Sequence, residues 1–103
     1  MKYLLVLQWS ATSVADFDAL IDVEDELETG LPSEDGEVDG HDFGSNQMDI
    51  FVLTERPREA FRSAAALLST NPRWASLRAA YRPLDGEDYV GLWPRDVSDF
   101  SVA

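Results

Sequence analysis

The sequence contains no cysteine among its 103 residues. A disulfide framework, a thiolate metal site and a cysteine nucleophile are therefore excluded. Long hydrophobic runs are also lacking, because the apolar stretch from Tyr3 to Leu7 is too short to cross a membrane. The polar Gln8 follows it before any signal-peptide cleavage pattern. We therefore expect a cytoplasmic protein that does not contact a membrane.

Basic residues are scarce in the first half of the chain. No lysine or arginine lies between Lys2 and Arg56, and residues 1–55 carry fourteen acidic side chains, which gives this half a net charge of −13. Residues 56–103 contain seven arginines and six acidic residues. The acidic half repels phosphate backbones, which argues against nucleic acid, and it attracts a basic protein partner. A simpler explanation of the charge is that acidic residues keep a small protein in solution.

Histidine occurs once, at position 41. An imidazole beside a carboxylate can act as a general base, and Asp39 and Asp42 flank His41 in the sequence. In a regular strand, Asp39 and His41 share one face and Asp42 points to the other. Glu24 is a further candidate because the helical wheel places it among apolar residues, where it must reach solvent or pair with a basic group. The candidate catalytic residues are therefore His41, Asp39 and Glu24, without a complete catalytic signature.

The segment from Asp35 to Asn46 is similar to the beginning of a calcium-binding loop. It has acidic residues at alternate positions and Gly40 at the sixth. The twelfth position holds Asn46, where a bidentate glutamate is needed, and no helical pattern flanks the segment. We therefore predict neither a metal nor a cofactor.

The remaining pattern predicts a mixture of strands and helices. The apolar run at residues 3–9 predicts a central strand, and Thr12 or Ser13 caps a helix predicted from about Val14 to Glu28. Gly30 is expected to end this helix in a left-handed conformation. The other predicted elements are a strand from near Glu37, a strand over 47–54 joined to it through Ser45 and Asn46, a helix from Pro57 to about Asn71, and strands over 76–83 and 89–93.

This order is β-α-β-β-α-β with an added C-terminal strand, which is the ferredoxin-like arrangement of an α+β protein. We expect one domain over residues 1–95, with an antiparallel sheet and both helices on one face, and a mobile tail over residues 96–103. The run EVDGHDFGSNQMDIFVLT, with the later AAYRPLDGEDYVGLWP, resembles a group of small uncharacterised bacterial proteins. The resemblance spans most of the chain and implies no activity for any residue.

The sheet face away from the helices is predicted to be too apolar to lie in water. We expect that face to bind a partner or a second copy of the chain. The predicted partner-binding residues are Asp49, Phe51 and Leu53 on that face, together with Asp39, Asp18, Asp22 and Asp25.

These observations favour a non-catalytic acidic protein-binding module. An immunity-type inhibitor that occludes a basic surface of its partner is a concrete example. The alternative is a dimeric ferredoxin-like enzyme or small-ligand binder that uses His41 and a neighbouring carboxylate. A structural homodimer formed through the sheet face is a third hypothesis.

Overall fold

A computed structural model describes residues 2–97 and 100–102 of the chain. The predicted strands and helices occur in the predicted order, although the first helix ends slightly later than predicted and the second slightly earlier. A 3-10 helix that was not predicted precedes the fourth strand, which begins at Arg78 and not at Ser76. The elements are β1 (Tyr3–Ser10), α1 (Val14–Gly30), β2 (Glu37–Gly44), β3 (Gln47–Thr54), α2 (Pro57–Leu68), a 3-10 helix (Pro72–Ser76), β4 (Arg78–Pro83) and β5 (Val90–Trp93).

The five strands form one antiparallel sheet in the order β2-β3-β1-β4-β5. β1 is central because it pairs with β3 on one side and β4 on the other. Its position explains the uninterrupted apolar sequence of this strand, whose residues Leu4 to Trp9 are all buried. The protein is therefore α+β, with two helices and a five-stranded antiparallel sheet. Because β5 extends the sheet beyond β4, the order of the five strands differs from that of a four-stranded ferredoxin-like sheet.

A tight turn joins β2 to β3, as the sequence predicted. Ser45 and Asn46 have φ values of 53° and 61°, so both central residues of the turn are left-handed. This geometry is that of a type I′ turn, whose twist matches that of the paired strands. The predicted hairpin is confirmed.

A β-bulge interrupts β2 at Asp39. The pairing with β3 shifts between Val38 and Gly40, and Gly40 has a φ of 126°, which favours glycine. After the bulge, His41 lies opposite Ile50 on the helix side of the sheet. Regular alternation ends at Asp39, so the reasoning that placed Asp39 and His41 on one face does not apply.

The hydrophobic core lies between the sheet and the two helices. Leu20, Val23 and Leu27 of α1 pack in it with residues of α2 and of the central strands. The helices approach each other closely at Gly30, where an added Cβ would lie 2.6 Å from the Cδ2 atom of Leu67. The prediction of a left-handed cap at Gly30 is therefore wrong, because α1 continues through Gly30 and Leu31 follows it in an extended conformation. Among the described residues, no helix has the length and apolar character needed to cross a membrane.

Candidate functional site

The outer surface of α1 is strongly acidic. Its buried face is fixed by the apolar residues that contact the sheet, so the residues between them point to solvent. Five of those exposed residues are acidic, namely Asp18, Asp22, Asp25, Glu26 and Glu28. Within residues 2–97 and 100–102, no ion pair involves any of the five. This surface therefore presents negative charge that its own chain does not neutralise.

The predicted partner-binding residues divide between two surfaces. Asp18, Asp22 and Asp25 lie on the exposed side of α1, whereas Phe51 and Leu53 lie half-buried on the sheet face that points away from the helices. That second face is called the outer face below. Because the sheet separates the two surfaces, one flat partner cannot cover both. Of the two, the surface of α1 is the more accessible.

Asp49 is on the outer face but is only 1% exposed. Its Oδ1 atom accepts a hydrogen bond of 2.9 Å from the side-chain amide of Gln8. Burial raises the pKa of the Asp49 carboxyl; hydrogen bonds from Gln8 and Gln47 oppose this effect, and Asp42 opposite it in β2 adds to it. Asp49 therefore belongs to a buried polar cluster and is withdrawn from the surface on which a partner would bind.

Gln8 connects this cluster to the C-terminal segment of the chain. Its Nε2 atom donates to Asp49 and, at 2.8 Å, to the backbone carbonyl of Ser101. Its Oε1 atom accepts a hydrogen bond of 3.3 Å from the guanidinium of Arg78. Both N–H groups of the Gln8 amide and its carbonyl oxygen are therefore hydrogen-bonded within the protein.

The predicted mobile tail, residues 96–103, falls partly on residues 98, 99 and 103, which lie outside the described residues. In the described part, Phe100 packs against the ring of Tyr89 with centroids 5.1 Å apart, and Ser101 contacts Gln8. These contacts do not measure motion, so the mobility of the tail stays a prediction.

The single histidine pairs with a buried glutamate. The Nδ1 atom of His41 lies 2.9 Å from the Oε1 atom of Glu24, across the boundary between β2 and α1. Glu24 is 6% exposed, and its other oxygen, Oε2, has no hydrogen-bond partner among the described residues. The His41 side chain is 33% exposed. The carboxylate therefore fixes the orientation of the imidazole while part of the ring remains open to solvent.

Asp39, the third candidate catalytic residue, does not join this pair. It is exposed at the bulge of β2, and within the described part of the chain its side chain has no hydrogen bond or ion pair. Across that same part, no three His, Asp or Glu side chains are grouped as a metal site requires. The structure thus brings together two of the three candidate catalytic residues, His41 and Glu24.

A groove of about 540 Å³ opens beside the pair, between the β1–α1 loop and the β2–β3 turn. Phe17 and Phe43 form part of its lining, and their ring centroids are 5.0 Å apart. Phe17 also contacts the ring of His41, at 5.9 Å, but neither His41 nor Glu24 lines the groove. The aromatic ring of Phe17 therefore lies between the groove and the histidine.

Sequence reasoning did not identify Phe17, Phe43, Gln8 or Phe100 as residues of these sites. Gln8 gave a usable signal, because it is a lone amide in an apolar strand and polar side chains are seldom buried without partners. The contacts of Phe43 and Phe100 depend on the hairpin register and on the path of the C-terminal segment. No local pattern in the sequence encodes either one.

The chain matches no protein family, and no curated protein or solved structure is significantly similar to it. A fold by itself hosts many unrelated functions. A function for this chain must therefore be inferred from the chemistry of the two surfaces and of the His41–Glu24 pair.

Proposed function

We propose that the protein is a non-catalytic, acidic protein-binding module that contacts a basic surface of a partner protein through the outer side of α1. The observation that supports this proposal most directly is the row formed by Asp18, Asp22 and Asp25. These side chains are exposed, and none is in an ion pair within the described residues. The positions follow one another by four and three residues, so the three carboxylates form a stripe about 10 Å long on a helix.

An acidic stripe on a helix suits a partner that carries clustered lysine or arginine side chains. Complementary charge increases the rate of encounter and discriminates against partners of the wrong charge. An immunity-type inhibitor would use the same chemistry to cover a basic substrate-binding surface, with carboxylates where substrate phosphates would otherwise lie. Exposed charges interact over roughly 8 Å at physiological ionic strength, so this association should weaken as salt is added.

The proposal includes a ferredoxin-like fold type with one additional edge strand. Its support is that β2, β3, β1 and β4 are adjacent in that order, with α1 connecting β1 to β2 and α2 connecting β3 to β4. A cytoplasmic location and a homodimer formed through the outer face are also proposals. Phe51 and Leu53 are the half-buried apolar residues that such a dimer would use, and light scattering over a range of concentrations tests for it.

The test of the binding function compares two variants with the same loss of charge. Asp18→Asn/Asp22→Asn/Asp25→Asn neutralises the stripe, whereas a control variant neutralises three exposed acids in the β4–β5 loop. The control substitutions are Asp85→Asn, Glu87→Gln and Asp88→Asn. A partner is first cross-linked to the wild-type protein in cells of the source organism, purified, and then titrated with each variant by calorimetry.

The stripe variant should bind the purified partner about 3- to 150-fold more weakly, since three exposed ion pairs contribute roughly 0.2 to 1 kcal/mol each. The loop variant should change the affinity less than about 3-fold. Wild-type binding should also weaken between low and high salt. Equal effects of the two variants, or binding that does not respond to salt, would show that the surface of α1 is not the contact.

A second candidate function rests on the His41–Glu24 pair. A buried carboxylate that holds Nδ1 leaves the other side of a half-open imidazole available for proton transfer or for a ligand. This arrangement favours the alternative of a small-ligand binder or dimeric enzyme with His41 in its site. Titration with a library of small polar and aromatic fragments, followed by NMR of the His41 and Phe17 ring protons, tests it. Fragments that shift neither ring would argue against a site at this pair.

A further inference from the structure

The middle of the outer face is buried although both helices lie on the opposite side of the sheet. Leu4, Val6 and Ala80 are 8%, 0% and 0% exposed, yet none belongs to the core that the helices cover. Some other part of the chain must therefore exclude water from this face. Three described residues of the C-terminal segment contact it, namely Val97, Phe100 and Ser101, and these three are called the strap below.

The strap is attached at three points. A Cβ added to Gly91 would lie 2.5 Å from the Cγ1 atom of Val97 and 3.0 Å from its carbonyl oxygen, so Val97 is seated directly on the glycine of β5. The guanidinium of Arg78 lies 5.4 Å from the centre of the Phe100 ring, which is the geometry of a cation–π contact. Tyr89 packs against the same ring.

The third attachment is a hydrogen bond to the backbone. The Gln8 amide has two N–H groups, of which one donates to Asp49 and the other to the carbonyl of Ser101. Gln8 is 3% exposed with the strap in place, so a strap that moves away uncovers this N–H donor, and water or another carbonyl must then satisfy it. A donor of this kind recognises any extended backbone, whatever side chain the residue carries.

These contacts together define the chemistry of a peptide receptor. The face supplies an amide donor for a backbone carbonyl, a clamp of an arginine and a tyrosine for an aromatic ring, and a glycine that lets the backbone approach. In the strap, none of the described residues Val97, Phe100 and Ser101 belongs to a strand. An extended segment with the same features can replace the strap without breaking the sheet.

We propose that the outer face is a receptor for an extended segment of a partner protein that carries a phenylalanine or tyrosine, and that the strap occupies this receptor within the free protein. The strap then acts as an internal competitor, which the partner segment must displace. This surface is separate from the acidic side of α1, and the proposal does not depend on binding there. A partner that contacts both surfaces would have to reach around the sheet with an extended arm.

The test uses a fluorescent peptide of residues 95–103, RDVSDFSVA, as the probe. Its anisotropy is measured with the full-length wild-type protein and with the full-length Phe100→Ala variant, in which the strap has lost its aromatic anchor. The peptide should bind the variant at least 10-fold more tightly than the wild type, because a tethered competitor acts at a high effective concentration. A matched peptide with alanine in place of phenylalanine should bind neither protein.

A second variant keeps the test decisive if Phe100→Ala does not fold. Val97→Ala removes the side chain that packs on Gly91 without changing Gln8, Arg78, Tyr89 or Gly91 of the receptor, and it should expose the receptor to the same peptide. Absence of peptide binding to every folded variant at millimolar concentration would overturn the proposal, as would equal binding of the two peptides. A dimer that forms in concentrated wild-type protein, but not in Phe100→Ala, would assign the receptor to a second copy of the chain and overturn the choice of a separate partner.

Discussion

Replacement of His41 by leucine should destabilise the protein because it leaves the carboxylate of Glu24 without a donor. In the wild type the Nδ1 atom of His41 is 2.9 Å from Glu24 Oε1, and Oε2 already has no partner among the described residues. A buried polar group without a partner costs about 1 to 3 kcal/mol, and a broken, fully buried ion pair costs about 3 to 5 kcal/mol. His41 is one-third exposed, so water relieves part of that cost. We therefore expect a loss of about 2 kcal/mol in the free energy of unfolding.

The assay is urea denaturation at neutral pH, followed by tryptophan fluorescence, on four proteins. They are the wild type, His41→Leu, Glu24→Leu, and the double variant. The double variant should be within about 1 kcal/mol of the wild type, because replacing both partners by apolar groups removes the stranded charge. The reasoning is refuted if His41→Leu changes stability by less than about 0.5 kcal/mol, or if the effects of the two single substitutions simply add.

Three further predictions follow from burial, capping and close packing. Burial raises the pKa of Asp49, so its stabilising contribution is complete below the ordinary value of 3.8 and is lost as the pH rises through the higher folded-state pKa. Asp49→Asn should therefore gain stability relative to the wild type as the pH rises above 3.8 in urea titrations, and a stability difference that does not change with pH would contradict this. Ser13 caps α1, and Ser13→Ala should lower the free energy of unfolding by about 1 kcal/mol, measured by thermal unfolding. A Cβ at Gly36 would lie 2.8 Å from Val52 Cγ1, so Gly36→Ala should cost about 1 to 3 kcal/mol, whereas the control Gly44→Ala, with open space around it, should cost much less.

The elements that the sequence predicted are those with local causes. Ser13 caps α1 through its side chain, Met48, Ile50 and Val52 of β3 are buried against the helices, and a two-residue turn at Ser45 and Asn46 sets the hairpin. Each of these features depends on residues within a few positions of one another. Period and turn chemistry are therefore sufficient to find them.

The sequence predicted only part of the histidine site. Glu24 was identified because it interrupts an apolar stripe, and it is indeed buried. Its partner was not identified, because His41 lies seventeen residues away in another element, and the bulge at Asp39 changes which residues share a face. A one-residue shift in register exchanges the two faces of a strand, so no argument from alternation can find this contact unless the bulge is known.

For a different reason, the sequence did not predict which segment of the chain packs on the outer face. The sequence correctly placed Asp49, Phe51 and Leu53 on that face, and it indicated that the face needed a cover. The C-terminal segment has no periodicity, and its role depends on where Phe100 meets Arg78 and Tyr89 in three dimensions. Contacts between single residues that are distant in the sequence produce no periodic pattern, so the sequence alone does not predict them.

The central position of β1 has a consequence for synthesis of the chain. β1 is translated first, but its neighbour β4 begins at Arg78, and Tyr3 pairs with Pro83. At ribosomal rates of about 5 to 20 residues per second, roughly 4 to 16 s separate the appearance of these two paired residues. Throughout that interval the most apolar strand of the protein lacks one of its neighbours. The nascent chain should therefore bind chaperones that recognise short apolar segments, and the sheet should close only as the last quarter of the sequence emerges.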